Sequence, residues 1–137
     1  MRRIVLVLLV LAGLLSVGVG PAVSAPDKVS VHIRRNATIS DDGLHVVIKV
    51  RVRCPEEPPL LEAFAYLNQQ GNESQFGGLN PTCDGRWHRM PVSVDSFEEA
   101  PFHPGRARAT AFVLLCDEAG TVCVSGEDSR IVRLREA

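Results

Sequence analysis

Between Leu44 and Cys54 every second residue is apolar. Leu44, Val46, Ile48, Val50, Val52 and Cys54 are apolar, and His45, Val47, Lys49, Arg51 and Arg53 stand between them. Successive side chains of an extended strand point to opposite faces, so this period of two specifies a strand with one buried face. A slip of one residue would bury Lys49, Arg51 and Arg53 and expose the apolar set, which fixes the register. A lone strand or hairpin is not stable in water, so the rest of the chain must supply strands to cover it. Its outer side carries Lys49, Arg51 and Arg53, a candidate anion-binding face. The plainer role for them is structural: long arginine stems cover an exposed sheet face, and their charge discourages edge pairing.

Other segments read the same way. Val29, Val31 and Ile33 alternate with Ser30, His32 and Arg34, and Asp41-Asp42-Gly43 is a turn signal before the long strand. Pro55 to Pro59 stops that strand. Residues 60–70 fit two templates, a helical stripe of Leu60, Leu61, Phe64 and Leu67, or a strand with Ala63, Ala65 and Leu67 opposed to Phe64 and Tyr66. The strand is preferred because the neighbouring segments are strands. A short edge strand is expected around Ser74–Gly77, within a stretch rich in Asn, Gly and Pro. Trp87 to Val94 is a strand that Pro91 demotes to an edge or a bulge. Phe97 to Gly105 reads as a long loop, Ala107 to Cys116 as a second dense strand, and Arg130 to Arg135 as the last strand. About seven short strands separated by turns, with no confident helix, predict an all-β antiparallel sandwich.

The N-terminus is of another kind. Arg2 and Arg3 precede an apolar run from Ile4 to Leu15, and small residues follow up to Ala25. That order reads as a secretory signal peptide over 1–25, cleaved between Ala22 and Ala25, with one domain over 26–137. The run is short of the ~20 apolar residues that a membrane span needs, so no stable membrane insertion is expected after removal. The expected localisation is extracellular. Cys54, Cys83, Cys116 and Cys123 all fall in the mature part, and four cysteines in a small secreted chain read as two disulfides. Cys116 and Cys123 flank a turn, which favours the pairs 116–123 and 54–83. Zinc sites want closely paired cysteines, and these spacings do not supply them.

The chain has 15 basic and 16 acidic residues, and without Arg2 and Arg3 its net charge is −3. That balance excludes the basic excess of a nucleic-acid binder. Basic residues fall mainly on expected strands (Arg34, Lys49, Arg51, Arg53, Arg89, Arg108, Arg133 and Arg135). Acidic ones fall mainly in expected loops, including Glu56-Glu57, Glu98-Glu99 and Glu127-Asp128. Basic sheet faces and acidic tips follow, with the basic charge divided between two faces. No nucleophile elbow, zinc helix motif, phosphate loop or dinucleotide fingerprint occurs. His32, His45, His88 and His103 are scattered, and no catalytic, cofactor or metal constellation emerges.

Five pieces carry a resemblance. They are the Asp42-Gly43 turn, the long strand ending in Cys54, the Cys83-Asp84-Gly85 turn, Phe102-His-Pro-Gly105-Arg-Ala107 leading into a strand, and Cys116 closing it. In these the chain resembles small secreted immunoglobulin-like proteins of uncharacterised function from high-GC Gram-positive bacteria. The resemblance implies an immunoglobulin-like sandwich and brings no active site. The expectation is a non-enzymatic extracellular binding or structural module whose partner is a cell-envelope polyanion or a secreted protein. The alternative is a secreted inhibitor offering a braced loop, 55–59 or 117–122, to an extracellular enzyme such as a protease.

Overall fold

A computed structural model describes residues 28–137. The signal-like segment over 1–25, with its cleavage window, lies outside the described residues. The described chain is all-β, with strands β1 (Ser30–Ile33), β2 (Asn36–Ile39), β3 (His45–Arg53), β4 (Leu60–Gln69), β5 (Asn72–Glu73), β6 (Gly77–Gly78), β7 (Trp87–Asp95), β8 (Gly105–Cys116) and β9 (Cys123–Glu136). Nine strands therefore replace the expected seven or so, two of them only two residues long. Among the described residues no helix is long and apolar enough to cross a membrane.

The strand order is β1-β3-β2-β9-β8-β4-β5, with β6 also on β4 and β7 on the other side of β3. The pairing is antiparallel except for β2 against β9, which run parallel, with Ala37 opposite Leu134. That parallel pair corrects the expectation of a wholly antiparallel set. It arises because β1, the first expected strand, is followed at once by a second strand, β2, that was not expected. Ile33 faces Val50 and Thr38 faces Val47, so residues 34–37 stand opposite only residues 48–49. The two surplus residues kink the chain, and β2 reaches β9 while still touching β3. The Arg133 N–H donates to the Arg35 carbonyl (2.6 Å) at that crossing.

Val46, Ile48, Val50 and Val52 of β3 are buried, as the alternation requires. They share one core cluster with Ala65 and Leu67 of β4 and with Ala107, Ala109, Ala111, Val113 and Leu115 of β8. Residues 60–69 are a strand, which settles the helix alternative. Pro91 sits in β7, whose ladder pairing is with β3 alone, so its missing N–H falls on an edge. Both expected disulfides are present, Cys54–Cys83 and Cys116–Cys123. They suit folding in an oxidising compartment.

Two readings are corrected. The last strand begins at Cys123, not Arg130, which brings Glu127 and Asp128 out of the expected loop and into β9. Its first half has no apolar alternation to announce it. It is held by its ladder to β8, from Cys116↔Cys123 to Gly105↔Leu134. The loop before β8 carries a core residue, since Phe102 is 2 % exposed. Its N–H donates to the Gly43 carbonyl (2.7 Å). Gly43 has φ +73°, and a Cβ there would stand 2.6 Å from the Phe102 carbonyl oxygen, so the turn and the loop close on each other only with glycine.

Candidate anion-binding face

Because β3 buries its even-numbered residues, Lys49, Arg51 and Arg53 project to solvent. The ladders on either side decide what stands next to them. β1 places His32 opposite Arg51 and Ser30 opposite Arg53. The Arg34 N–H donates to the Lys49 carbonyl (2.9 Å), which continues β1 alongside. β7 places Trp87 opposite Arg53, Arg89 opposite Arg51 and Pro91 opposite Lys49. The sequence-predicted Lys49, Arg51 and Arg53 thus stay together and gain Arg34 and Arg89. The sequence places both on strands, but only the strand register shows that they join this face. Arg108, Arg133 and Arg135 lie on β8 and β9, away from the group, so the basic charge is divided as expected.

A cleft of about 220 Å³ opens between Arg34, Lys49, Arg51 and Arg89, with Met90 and Pro91 as its apolar wall. The Arg51 guanidinium lies 4.9 Å from the Trp87 ring centroid, a cation–π contact that aligns it along the face. Arg53 donates from Nε to the Gly85 carbonyl (2.9 Å). Among the described residues the ion pairs are His45–Asp95, His88–Asp84 and Arg130–Asp128. None of them takes in Arg34, Lys49, Arg51, Arg53 or Arg89. Like charges directly opposite in a ladder destabilise a sheet, and Arg51 against Arg89 is such a pair.

At the border of the face, Asp128 does work that its sequence position did not suggest. Its Oδ2 accepts from the Ile33 N–H (2.8 Å) and from Arg130 Nε (3.0 Å). Arg130 in turn donates to His32 Nδ1 (3.2 Å), which requires that nitrogen to carry its lone pair. Burial, and next the nearby Arg130 and Arg51 charges, lower the His32 pKa from 6.5; Asp128 opposes and Arg35 adds to the shift. His45 behaves oppositely. The hydrogen bond that His45 Nδ1 donates to Asp95 Oδ1 (2.6 Å), helped by the Asp95 and Asp42 charges, raises it above 6.5.

These signs give a testable pair. The raised His45 stabilises the fold fully below about pH 6.5 and loses that contribution as pH rises through its folded value. The lowered His32 contributes fully above about pH 6.5 and loses it as pH falls through its folded value. The two oppose each other in the wild type. Urea midpoints at about pH 5.5 and 7.5 should show His45→Gln more acid-sensitive than wild type and His32→Gln less so. Shifts of both variants in the same direction would refute the assignment.

The remaining expected features are placed as follows. Glu56, Glu57, Glu98 and Glu99 are exposed. Among the described residues no group of three or more His, Cys, Asp or Glu is arranged to hold a metal ion, and no buried side-chain nitrogen or oxygen lacks a hydrogen-bond partner. The 117–122 loop is a closed turn. Asp117 accepts from the Thr121 N–H and hydroxyl (both 2.8 Å), and the Gly120 N–H returns to the Asp117 carbonyl (3.0 Å). Its backbone is therefore not laid out as an extended segment that an enzyme cleft would pair with. Comparison with family models, with curated proteins and with solved structures found no match to this chain.

Proposed function

We propose that the chain is a secreted, non-enzymatic binding module that adheres to an anionic polymer of the cell envelope through the solvent face of β1, β3 and β7. The observation that carries this reading is Arg51 directly opposite Arg89, beside Arg34 and Lys49, with no carboxylate among the described residues paired to any of them. A sheet face kept only for cover has no need to oppose like charges. An anion laid across the face offsets that repulsion. The row from Lys49 to Arg53 runs two strand steps, about 13 Å, which suits a chain of anionic groups better than one small anion. The face focuses positive potential although the chain as a whole is weakly acidic. Two disulfides accord with an extracellular life.

The same proposal takes the fold to be an immunoglobulin-like sandwich. Its support is the crossing from β1 to β2, which links the β1-β3-β7 arm to the β9-β8-β4 arm while both arms feed one core.

Co-sedimentation of the protein with cell envelopes across a salt series tests the function. Retention at low salt should fall steadily as salt rises, because exposed charges are screened. The double reversal Arg51→Glu with Arg53→Glu should abolish it. The fold should survive, since Arg51→Glu turns the contact with Arg89 from repulsive to attractive. No retention at low salt, or retention indifferent to both salt and reversal, would sink the proposal.

A further inference from the structure

The opposite arm of the fold carries a second surface of a different character. Four of the chain's seven aromatic residues, Phe64, Tyr66, Phe76 and Phe112, stand on the solvent face of β4 and β8 or against it. Phe76 is 71 % exposed. Its ring stands edge-on to Phe64 (5.0 Å between centroids) and to Tyr66 (5.6 Å), and Phe64 lies 5.4 Å from Phe112. The core meanwhile receives the alanines of the same strands. Aromatic surface placed outward while alanine goes inward marks an interaction site.

The charges on this face are unequal along the strands, although Glu127 stands opposite Phe112 near the centre and Glu73 opposite Asn68 in the row of Arg108. Opposite pairs run Glu62↔Leu114, Phe64↔Phe112, Tyr66↔Thr110 and Asn68↔Arg108. Glu62 lies one strand step beyond the aromatic centre at one end, and Arg108 one step beyond it at the other. Asp117 and Glu118 follow Cys116 at the acid end, and Arg106 stands opposite Arg133 at the arginine end. Three two-residue steps, about 20 Å, separate the rows of Glu62 and Arg108, too far for them to pair within one chain. A trough of about 400 Å³ lies at the acid end, between Leu60, Glu62, Leu114 and the 117–120 turn. Another, of about 600 Å³, lies at the arginine end, between Tyr66, Arg106, Arg108 and Ile131, with Glu73 and Glu127 also on its wall.

We propose that this face binds a second copy of the chain. A two-fold axis lying in the interface and across the strands sets aromatic centre on aromatic centre. It also brings the acid end of each copy over the arginine end of the other, arginines into the acid-end trough. Such an isologous contact is complementary only to itself. A polyanion would be repelled by the acid end, and a polycation by the arginine end. The dimer leaves the β1-β3-β7 face of each copy free, but the inference does not depend on what that face binds.

Sedimentation velocity on the full chain, made through an oxidising secretory route, tests it from micromolar to millimolar concentration. A dimer is expected to form within that range. Phe76→Asp should weaken it at least about tenfold, as loss of a central aromatic anchor does. At concentrations low enough to keep the wild type monomeric, the thermal midpoint of that variant should stay close to the wild-type value, since the side chain is exposed. Glu62→Arg and Arg108→Glu should each weaken self-association. Mixing the two variants should restore a dimer, because one copy then presents arginine at both ends and the other carboxylate at both. A wild type that stays monomeric at millimolar concentration would leave the face to a different partner and overturn the proposal. So would a dimer indifferent to Phe76→Asp, or a mixture that remains monomeric.

Discussion

Phe102→Ala is expected to destabilise the protein by about 3–5 kcal/mol, the usual result of removing a buried phenylalanine and leaving its cavity. A small domain holds only about 5–15 kcal/mol in all, so the variant should melt at least about 12 °C lower. Phe102 is the largest fully buried side chain and is 2 % exposed. The loop around it cannot collapse into the space. Gln69 grips His103 from both sides, accepting from its N–H (2.9 Å) and donating to its carbonyl (2.8 Å). The Phe102 N–H is tied to Gly43. Phe97 sits in the same loop but is 66 % exposed, so Phe97→Ala should change stability by less than about 0.5 kcal/mol. Equal thermal midpoints for the two variants would show that the loop does not anchor the core.

What the sequence conceals follows from where its signals are local. The alternation over 44–54 is a property of one strand, and β3 forms where that pattern lies. The pairing of Cys116 with Cys123 is nearly as local, across one turn. Phe102 has no periodic neighbours, lying between Pro101 and His103-Pro104, so nothing near it announces burial. The first half of β9 is polar because its partners are a backbone ladder and Asp128 bonded to the Ile33 N–H, not a core. Lys49, Arg51 and Arg53 could be placed on one face from their spacing. Their neighbours Arg34 and Arg89 come from segments 15 and more residues away, and only the register of β1 and β7 brings them to that face. The alternation of β4 does separate Phe64 and Tyr66 from Ala65 and Leu67. Which set is buried depends on the opposing volume, and the valines and isoleucine of β3 already fill the shared core, leaving room on that side for small residues.

The two disulfides should yield to reduction in order, with unequal consequences. Cys123 is exposed, whereas Cys54 is fully buried at 0 %. A thiolate reductant must reach sulfur to attack, so Cys116–Cys123 should open first under mild conditions. Its cysteines are separated by 7 in sequence, which by chain entropy gives about 2.4 kcal/mol. The hydrogen-bonded turn at Asp117 and the β8–β9 ladder survive its loss, so the domain should stay folded. Cys54–Cys83 closes a separation of 29, worth about 3.6 kcal/mol on the same argument. It also ties the end of β3 to the start of β7, where the Gly85 N–H donates to the Cys54 carbonyl (2.8 Å). The double variant Cys54→Ala with Cys83→Ala should therefore lose most or all of its folded population at physiological temperature, while Cys116→Ala with Cys123→Ala keeps a cooperative transition. Mass spectrometry of alkylated thiols during a reductant titration, with circular dichroism on the same samples, separates the steps. Two thiols should be trapped before any loss of β signal and four only as it disappears. Simultaneous release of all four would mean that the short bridge is as essential to the fold as the long one.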